Sequence, residues 1–287
     1  MLRKTLLASA LLSSPAGWAV APPPQPADWT EAVVPFPVTD NIFYIGTHGL
    51  TTWLIVSGQQ AILLDPGLAQ NVPLIEKNIR SLGFSLQDVN VLINSHAHFD
   101  HAAGLAALKR DTGATFYAMG ADVPALEKGQ HEGDNLYGNA FFPPVNVDHT
   151  LHDGEVIRLG NVSLKAILTP GHSKGCTTWT MRSTLDGKPV NVVFPCSISV
   201  AGNTLIGNRS YPGIVADYQR SFARLRALNA DIVLPNHPEV TQVMQREERV
   251  QKGDKQAFVD PGLLTRVVDD AEKKFNAALS AASASKP

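Results

Sequence analysis

Asn94-Ser95-His96-Ala97-His98-Phe99-Asp100-His101 is the stretch on which the reading of this chain turns. It follows Val89–Ile93, an apolar run too short for a helix and of the kind that forms a buried strand. It precedes Ala102-Ala103-Gly104-Leu105-Ala106-Ala107-Leu108-Lys109, whose alanines and leucines favour helix. Three histidines and an aspartate therefore sit where a strand ends and a helix begins, the edge at which layered α/β proteins gather ligands. Neutral imidazoles with a carboxylate are the donors that zinc takes. His96 and His98, two apart on extended backbone, point the same way and can grip one ion. Asp100 and His101 stand where the chain turns and reach toward a second. The alternative is a polar loop of solvated histidines; four potential ligands within six residues beside a strand end argue against it.

Outward from this point, the pattern predicts strands over 41–46, 51–57 and 60–65, the last stopped by Asp65-Pro66-Gly67. Leu74, Ile75, Ile79 and Leu82 have helical spacing. A strand over 114–119 follows the histidine cluster and its helix, and Asp122 is placed to cap a short helix running through Leu126. From 129 to 147 glycines, asparagines, prolines and aromatics replace any periodicity, as in a long loop that borders a site.

The second half repeats the logic. Val156–Leu159 and Val162–Leu168 alternate as strands around Gly160-Asn161. Thr169-Pro170-Gly171-His172 breaks out at the end of the second. A hairpin over 177–181 and 190–194 turns at Asp186-Gly187, and Tyr218, Phe222 and Leu225 share a helix face. A last strand over 231–234 again ends in a histidine, in Pro235-Asn236-His237-Pro238. Asp260-Pro261 opens a helix with the residue types of a cap and first turn, its apolar face being Leu264, Val267, Val268, Ala271 and Phe275. Each half thus delivers metal-type ligands at strand ends. A single α+β domain over residues 29–280 explains this: two facing sheets, helices on both outer faces, and a site along one edge between the sheets.

Composition bounds the rest. A hydrophobic fraction of 44% allows a full core, and a net charge of −2 without a basic block excludes a nucleic-acid surface. Past the N-terminus no apolar run is long enough to span a bilayer. Arg3 and Lys4, an apolar stretch over 6–20 and Ala19-Val20-Ala21 have the layout of a secretory signal peptide over residues 1–21. A stiff Pro-rich leader, residues 22–28, would follow it, and the chain is expected to be exported to the periplasm. Residues 281–287 are expected to be an unstructured tail. Cys176 and Cys196, both in expected strands, are either paired or two buried thiols.

The His-x-His-x-Asp-His run, the later Thr-Pro-Gly-His and the final His237 together resemble the metallo-β-lactamase superfamily, over residues 29–275. The resemblance includes Gly171-His172-Ser173-Lys174-Gly175-Cys176-Thr177-Thr178-Trp179, and it implies a four-layer αβ/βα sandwich, in agreement with the order of elements. Thioesterases, lactonases and phosphodiesterases of that superfamily bridge two metals with an aspartate at the end of the strand that is here 190–194. This chain has Pro195-Cys196-Ser197 there, and Asp186, Asp217 and Asp231 read as turn, helix and strand start. With His101 present, and Ser197 where another subclass has a ligand cysteine, the chain is similar to the third subclass of class B β-lactamases.

The resemblance implies two zinc ions per chain, the first held by His96, His98 and His172 and the second by Asp100, His101 and His237. It implies hydrolysis of the β-lactam amide of penicillins, cephalosporins and carbapenems by a metal-bound hydroxide, with Asp100 also orienting the nucleophile and no side chain acylated. By the same resemblance Ser197 and Ser199 bind the substrate carboxylate, or else bond their own backbone, while Asn203 helps polarise the carbonyl. Asp65 is expected to buttress the metal loop, next to a Pro66 where relatives often carry glycine. The subclass often links its equivalents of Cys176 and Cys196, which favours the disulfide. His48, His131, His149 and His152 are expected at the surface, His131 alone bordering the site. The partner is then a small-molecule β-lactam, with no nucleic acid and no membrane span in the mature protein. Hydrolysis of another ester, by a lactonase or thioesterase, is the main alternative. Non-catalytic zinc carriage is a further one, disfavoured because six donors for two ions leave coordination positions open.

Overall fold

The computed structural model describes residues 25–136 and 141–284; the expected signal peptide and the start of the leader lie outside them. A meander opens the fold: β1 (Phe36–Thr39), β2 (Ile42–Tyr44), β3 (Trp53–Ser57) and β4 (Gln60–Leu64), each antiparallel to the last. The chain then crosses over through α1 (Val72–Ser81) to β5 (Val89–Ile93), which lies parallel to β4. Parallel strands need such a crossover, because a tight turn can only reverse the chain. The short α2 (Phe99–Ala102), then α3 (Leu105–Thr112), lead to β6 (Thr115–Met119). α4 (Val123–Lys128) and the loop after it lead to β7 (His149–Leu151), which closes a seven-stranded sheet in chain order.

The second sheet is built from β8 (Val156–Leu159), β9 (Val162–Leu168), β10 (Thr177–Leu185) and β11 (Lys188–Phe194), again an antiparallel meander. α5 (Ile214–Arg226) makes the crossover to β12 (Ile232–Val233), parallel to β11. α6 (Val243–Gln251) and the long α7 (Leu263–Ala284) complete the chain.

Strand alternation sorts the core into three layers of contact. Trp53, Ile55, Ile62, Leu64, Val91 and Ile93 face inward and meet Leu164, Ala166, Trp179, Met181, Val192 and Phe194 of the second sheet. Their neighbours Leu54, Leu63, Val89 and Leu92 point outward, onto α1 and α3. Val193 and Val233 face the other way, onto Tyr218, Phe222, Val268 and Phe275 of α5 and α7. Period-two side chains on both sheets thus dictate a helix–sheet–sheet–helix sandwich, the architecture expected from the sequence.

Several local expectations need correction. Asp122 precedes α4 but makes no capping bond; its carboxylate is used elsewhere, as shown below. The last helix begins at Leu263 rather than beside Asp260, whose carboxylate is drawn to Arg246 and Arg266. It runs on to Ala284, into the stretch expected to be unstructured, since alanines at 281, 282 and 284 are strong helix formers and the Ser283 hydroxyl bonds the Leu279 carbonyl. Residues 285–287 lie outside the described residues. The end of the leader is also folded: Ala27–Trp29 form a 3-10 turn, and the Asp28 carbonyl accepts the Gly49 N–H.

Candidate metal centre

Both buried tryptophans of the inter-sheet core reach toward one edge of the sandwich. The Trp179 indole donates to the Asn94 carbonyl at 3.1 Å, and the Trp53 indole to the Pro235 carbonyl at 3.2 Å. The core therefore fixes the backbone just before His96 and just before His237. His96 and His98 follow β5 on extended chain; Asp100 and His101 lie in α2. His172 stands in the connection from β9 to β10, after Gly171 at φ 138°. A side chain on Gly171 would meet the Tyr218 ring at 2.8 Å, so glycine is what lets the His172 loop lie against α5.

These elements bring all six sequence-predicted ligands together. Ligand atoms of His96, His98 and His172 lie within 4.8 Å of one another, with the Nε2 atoms of His96 and His172 3.1 Å apart. Those of His96, Asp100 and His101 form a second such group. His237 joins it, its Nε2 3.2 Å from that of His101 and 3.3 Å from Asp100 Oδ2, which is itself 3.1 Å from His101 Nε2. Five of the six are buried and His237 is partly so.

The electrostatics suit cations. Burial holds His96 and His98 well below the usual imidazole range, helped by repulsion from neighbouring histidines, and takes His172 down to about 4. All three are neutral donors at physiological pH, as a metal requires. Burial pulls on Asp100 and His101 too, but their mutual attraction prevails. Asp100 stays well below the usual carboxylate range, held by His101 and His237, and His101 is raised by Asp100 and Asp65. A positive charge at this point is thus stabilised by two carboxylates. Soft-to-borderline imidazole donors plus one carboxylate fit zinc.

A second ring of contacts orients the ligands. Ser95 Oγ lies 2.9 Å from His96 Nδ1, and His172 Nδ1 donates to the Ser199 carbonyl at 2.9 Å, leaving His172 Nε2 to face the cluster. Asp65, buried with φ 55°, accepts the Ser95 N–H on Oδ1 at 2.6 Å and places Oδ2 3.6 Å from His101 Nδ1. Pro66 sits against Gly104, where a Cβ would come within 2.7 Å of the Pro66 carbonyl, so the proline is accommodated.

Cys176 and Cys196 form a disulfide, which removes Cys196 as a metal ligand. Ser197, beside it, shares a hydrogen bond with the Asn236 side chain, while the Ser199 hydroxyl is exposed. The partly buried Asn203 donates its amide to the His172 carbonyl at 3.1 Å and to the Tyr218 hydroxyl at 3.4 Å. Asp186 lies in the β10–β11 turn at φ 50°, Asp217 is in α5, and Asp231 Oδ2 accepts from Asn191, so none approaches the cluster.

His48, His149 and His152 are exposed, as expected, but His131 is buried. Its ring stacks on His98 with centroids 4.3 Å apart, and its Nε2 accepts the Phe99 N–H at 2.8 Å. Its position in a long polar loop gave no signal of this. Trp29 was also missed: it packs 5.7 Å from His237 and 6.2 Å from Phe99. An open cleft of about 1170 Å³ begins here, lined at the site end by Trp29, His48, Ser197, Ser199 and His237, and extends along α7 to Lys274.

Comparison with known proteins agrees with this geometry. The family profile described as Metallo-beta-lactamase superfamily matches residues 46–237. BJP-1, a subclass B3 metallo-beta-lactamase of Bradyrhizobium japonicum, superposes with a TM-score of 0.86 at 37% identity, covering 90% of this chain and 98% of that one. Native FEZ-1 metallo-beta-lactamase from Legionella gormanii gives 0.85 at 37%, covering 88% and 98%. Among curated sequences, a hydroxyacylglutathione hydrolase of Rhodospirillum rubrum is 25% identical over 184 residues, covering 63% of this chain. The chain spans 57% of that relative's length, and about half of several others it matches. By fold, by profile and by neighbours of subclass B3, the chain belongs to the metallo-beta-lactamase superfamily of hydrolases.

Proposed function

We propose that the protein is an exported β-lactamase that opens the lactam amide with water, using two zinc ions. The observation that carries this reading is the convergence of six donors into two adjoining sets while the end of β11 offers Pro195-Cys196-Ser197 and no carboxylate. His96, His98 and His172 would hold one ion as neutral imidazoles, and Asp100, His101 and His237 would hold the other. Zinc held there would supply Lewis acidity and make water a nucleophile near neutral pH.

The chain's own groups do the rest. Both imidazoles approach Asp100 through Oδ2, so Oδ1 is the atom that orients the attacking water. Asp65 places its negative charge 3.6 Å from the far nitrogen of the His101 ring and favours its positive form. The Ser199 hydroxyl, exposed in the cleft, and that of Ser197, which trades its bond to Asn236, receive the substrate carboxylate. Trp29 walls the cleft with an apolar face beside His237. No side chain becomes acylated.

Export is supported by the basic, apolar and small-residue layout of residues 1–21 and by the disulfide, which fits an oxidising compartment. Among the described residues no helix is long and apolar enough to cross a membrane. N-terminal sequencing of periplasmic protein is expected to show cleavage near Ala21.

Thioester hydrolysis is the second reading, favoured by the similarity to hydroxyacylglutathione hydrolases. Purified protein assayed on nitrocefin, a carbapenem, an acyl-glutathione thioester and a homoserine lactone separates the two. The proposal expects lactam turnover that a chelator abolishes and a serine-directed inactivator leaves intact. Turnover of the thioester alone would refute it.

A further inference from the structure

The three-histidine set is assembled from loops of the two halves of the chain, and one buried carboxylate joins them. Asp122 comes from the end of β6, through a 3-10 turn, and is 4% exposed. Its Oδ2 accepts the N–H of Ala97, the residue between His96 and His98, at 3.0 Å, and the Ser173 hydroxyl at 2.8 Å. Its Oδ1 accepts the N–H of Gly175 at 2.7 Å. Ser173 and Gly175 immediately follow His172. The approach is so close that a Cβ on Gly175 would lie 2.6 Å from the Asp122 carboxyl carbon, so only glycine fits there.

We propose that Asp122 is a positioning residue that locks the loops bearing His96, His98 and His172 into one preformed three-histidine metal site. The inference rests on assigning those histidines to one ion. Asp122 touches neither ion nor substrate, since Ala97 and Ser173 stand between. Three donors converge on its two oxygens from both halves of the fold, and only a carboxylate accepts all of them. Burial pushes this carboxyl up to about 6 despite those bonds. An asparagine has the same shape but turns one NH2 toward a backbone N–H whichever way it lies. Either the Ala97 loop or the Gly175 loop is then released.

The test compares D122N with the parent in two ways. In a His237→Ala background, where only the three-histidine set is complete, zinc affinity is measured by competition with a chelating dye. In metal-free protein, amide hydrogen exchange is followed at Ala97 and Gly175. Zinc affinity in D122N is expected to fall roughly 10- to 100-fold, the range for lost outer partners of metal ligands. Exchange is expected to quicken about tenfold at one or both amides while remaining unchanged in β9 and β10. An affinity within about twofold of the parent would overturn the proposal, as would unaltered or uniformly faster exchange. If D122N does not fold, Ser173→Ala removes one donor only and is expected to lower zinc affinity several-fold; no change there would also overturn it. A parent that binds no zinc at this set would instead remove the ligand assignment, and the exchange comparison would still decide whether Asp122 holds the two loops.

Discussion

His96, at the end of β5, and His172, 76 residues later on the other sheet, bring their Nε2 atoms to 3.1 Å. Both are kept neutral by burial, and the His172 Nδ1 donates to the Ser199 carbonyl, which leaves its Nε2 lone pair aimed at the His96 ring. Replacing His172 by alanine is expected to remove one equivalent of bound zinc and at least about 100-fold of lactam kcat/KM, since a ligand matters more than its outer partners. Elemental analysis of dialysed protein beside initial-rate measurements checks this.

Asp65 supports the other metal position through His101. Asparagine tolerates the left-handed backbone that residue 65 adopts, so Asp65→Asn changes the charge without straining the turn. The negative charge 3.6 Å from the His101 ring is then lost, while the amide oxygen can still accept the Ser95 N–H. Metal affinity at the Asp100/His101/His237 position is expected to drop roughly 10- to 100-fold, with metal-free stability changed much less. Isothermal titration of both proteins with zinc reads the difference.

The disulfide, with a sequence separation of 20, ties Cys176, four residues after His172, to Cys196 just past β11. Restricting a loop of that size in the unfolded chain is worth about 3 kcal/mol. The double variant Cys176→Ser, Cys196→Ser is therefore expected to unfold at lower urea concentration by about that amount. Reduction of the parent with a strong dithiol reproduces the shift, whereas in the double variant it does nothing.

Acid is expected to weaken the metal-free fold, and His131 contributes a definable part. Burial lowers its pKa from 6.5 to about 4, so on acidification the unfolded chain takes up a proton first. Stability is then lost as pH falls from about 6.5 toward 4 and levels off below, by up to about 3 kcal/mol for this group. His131→Gln keeps an acceptor for the Phe99 N–H but does not titrate. Urea unfolding at pH 7 and pH 4.5 is expected to show a smaller loss in the variant than in the parent.

The candidate ligands are legible in the sequence because metal chemistry is local: His-x-His-x-Asp-His after an apolar run needs no long-range information to be read. The β8–β9 hairpin and β5 were legible for a similar reason, since alternation and turn residues act over a few positions. What escaped were roles set by packing across the sandwich. Asp122 has the sequence context of a helix cap, yet its carboxylate is claimed by loops 25 and 53 residues away. His131 lies in a stretch with no periodicity, and only tertiary packing puts it under His98. Trp29, at the very start of the expected domain, carried no sign in sequence that the fold would lay it over His237. The short β1 and β7 escaped for want of a clear period.

The most direct test of the two-zinc arrangement is anomalous scattering at the zinc edge from crystals of the fully loaded protein. Two peaks are predicted, about 3.5–4 Å apart, one among His96, His98 and His172 and the other among Asp100, His101 and His237. A single peak at full loading, or zinc coordinated by other residues, would contradict it.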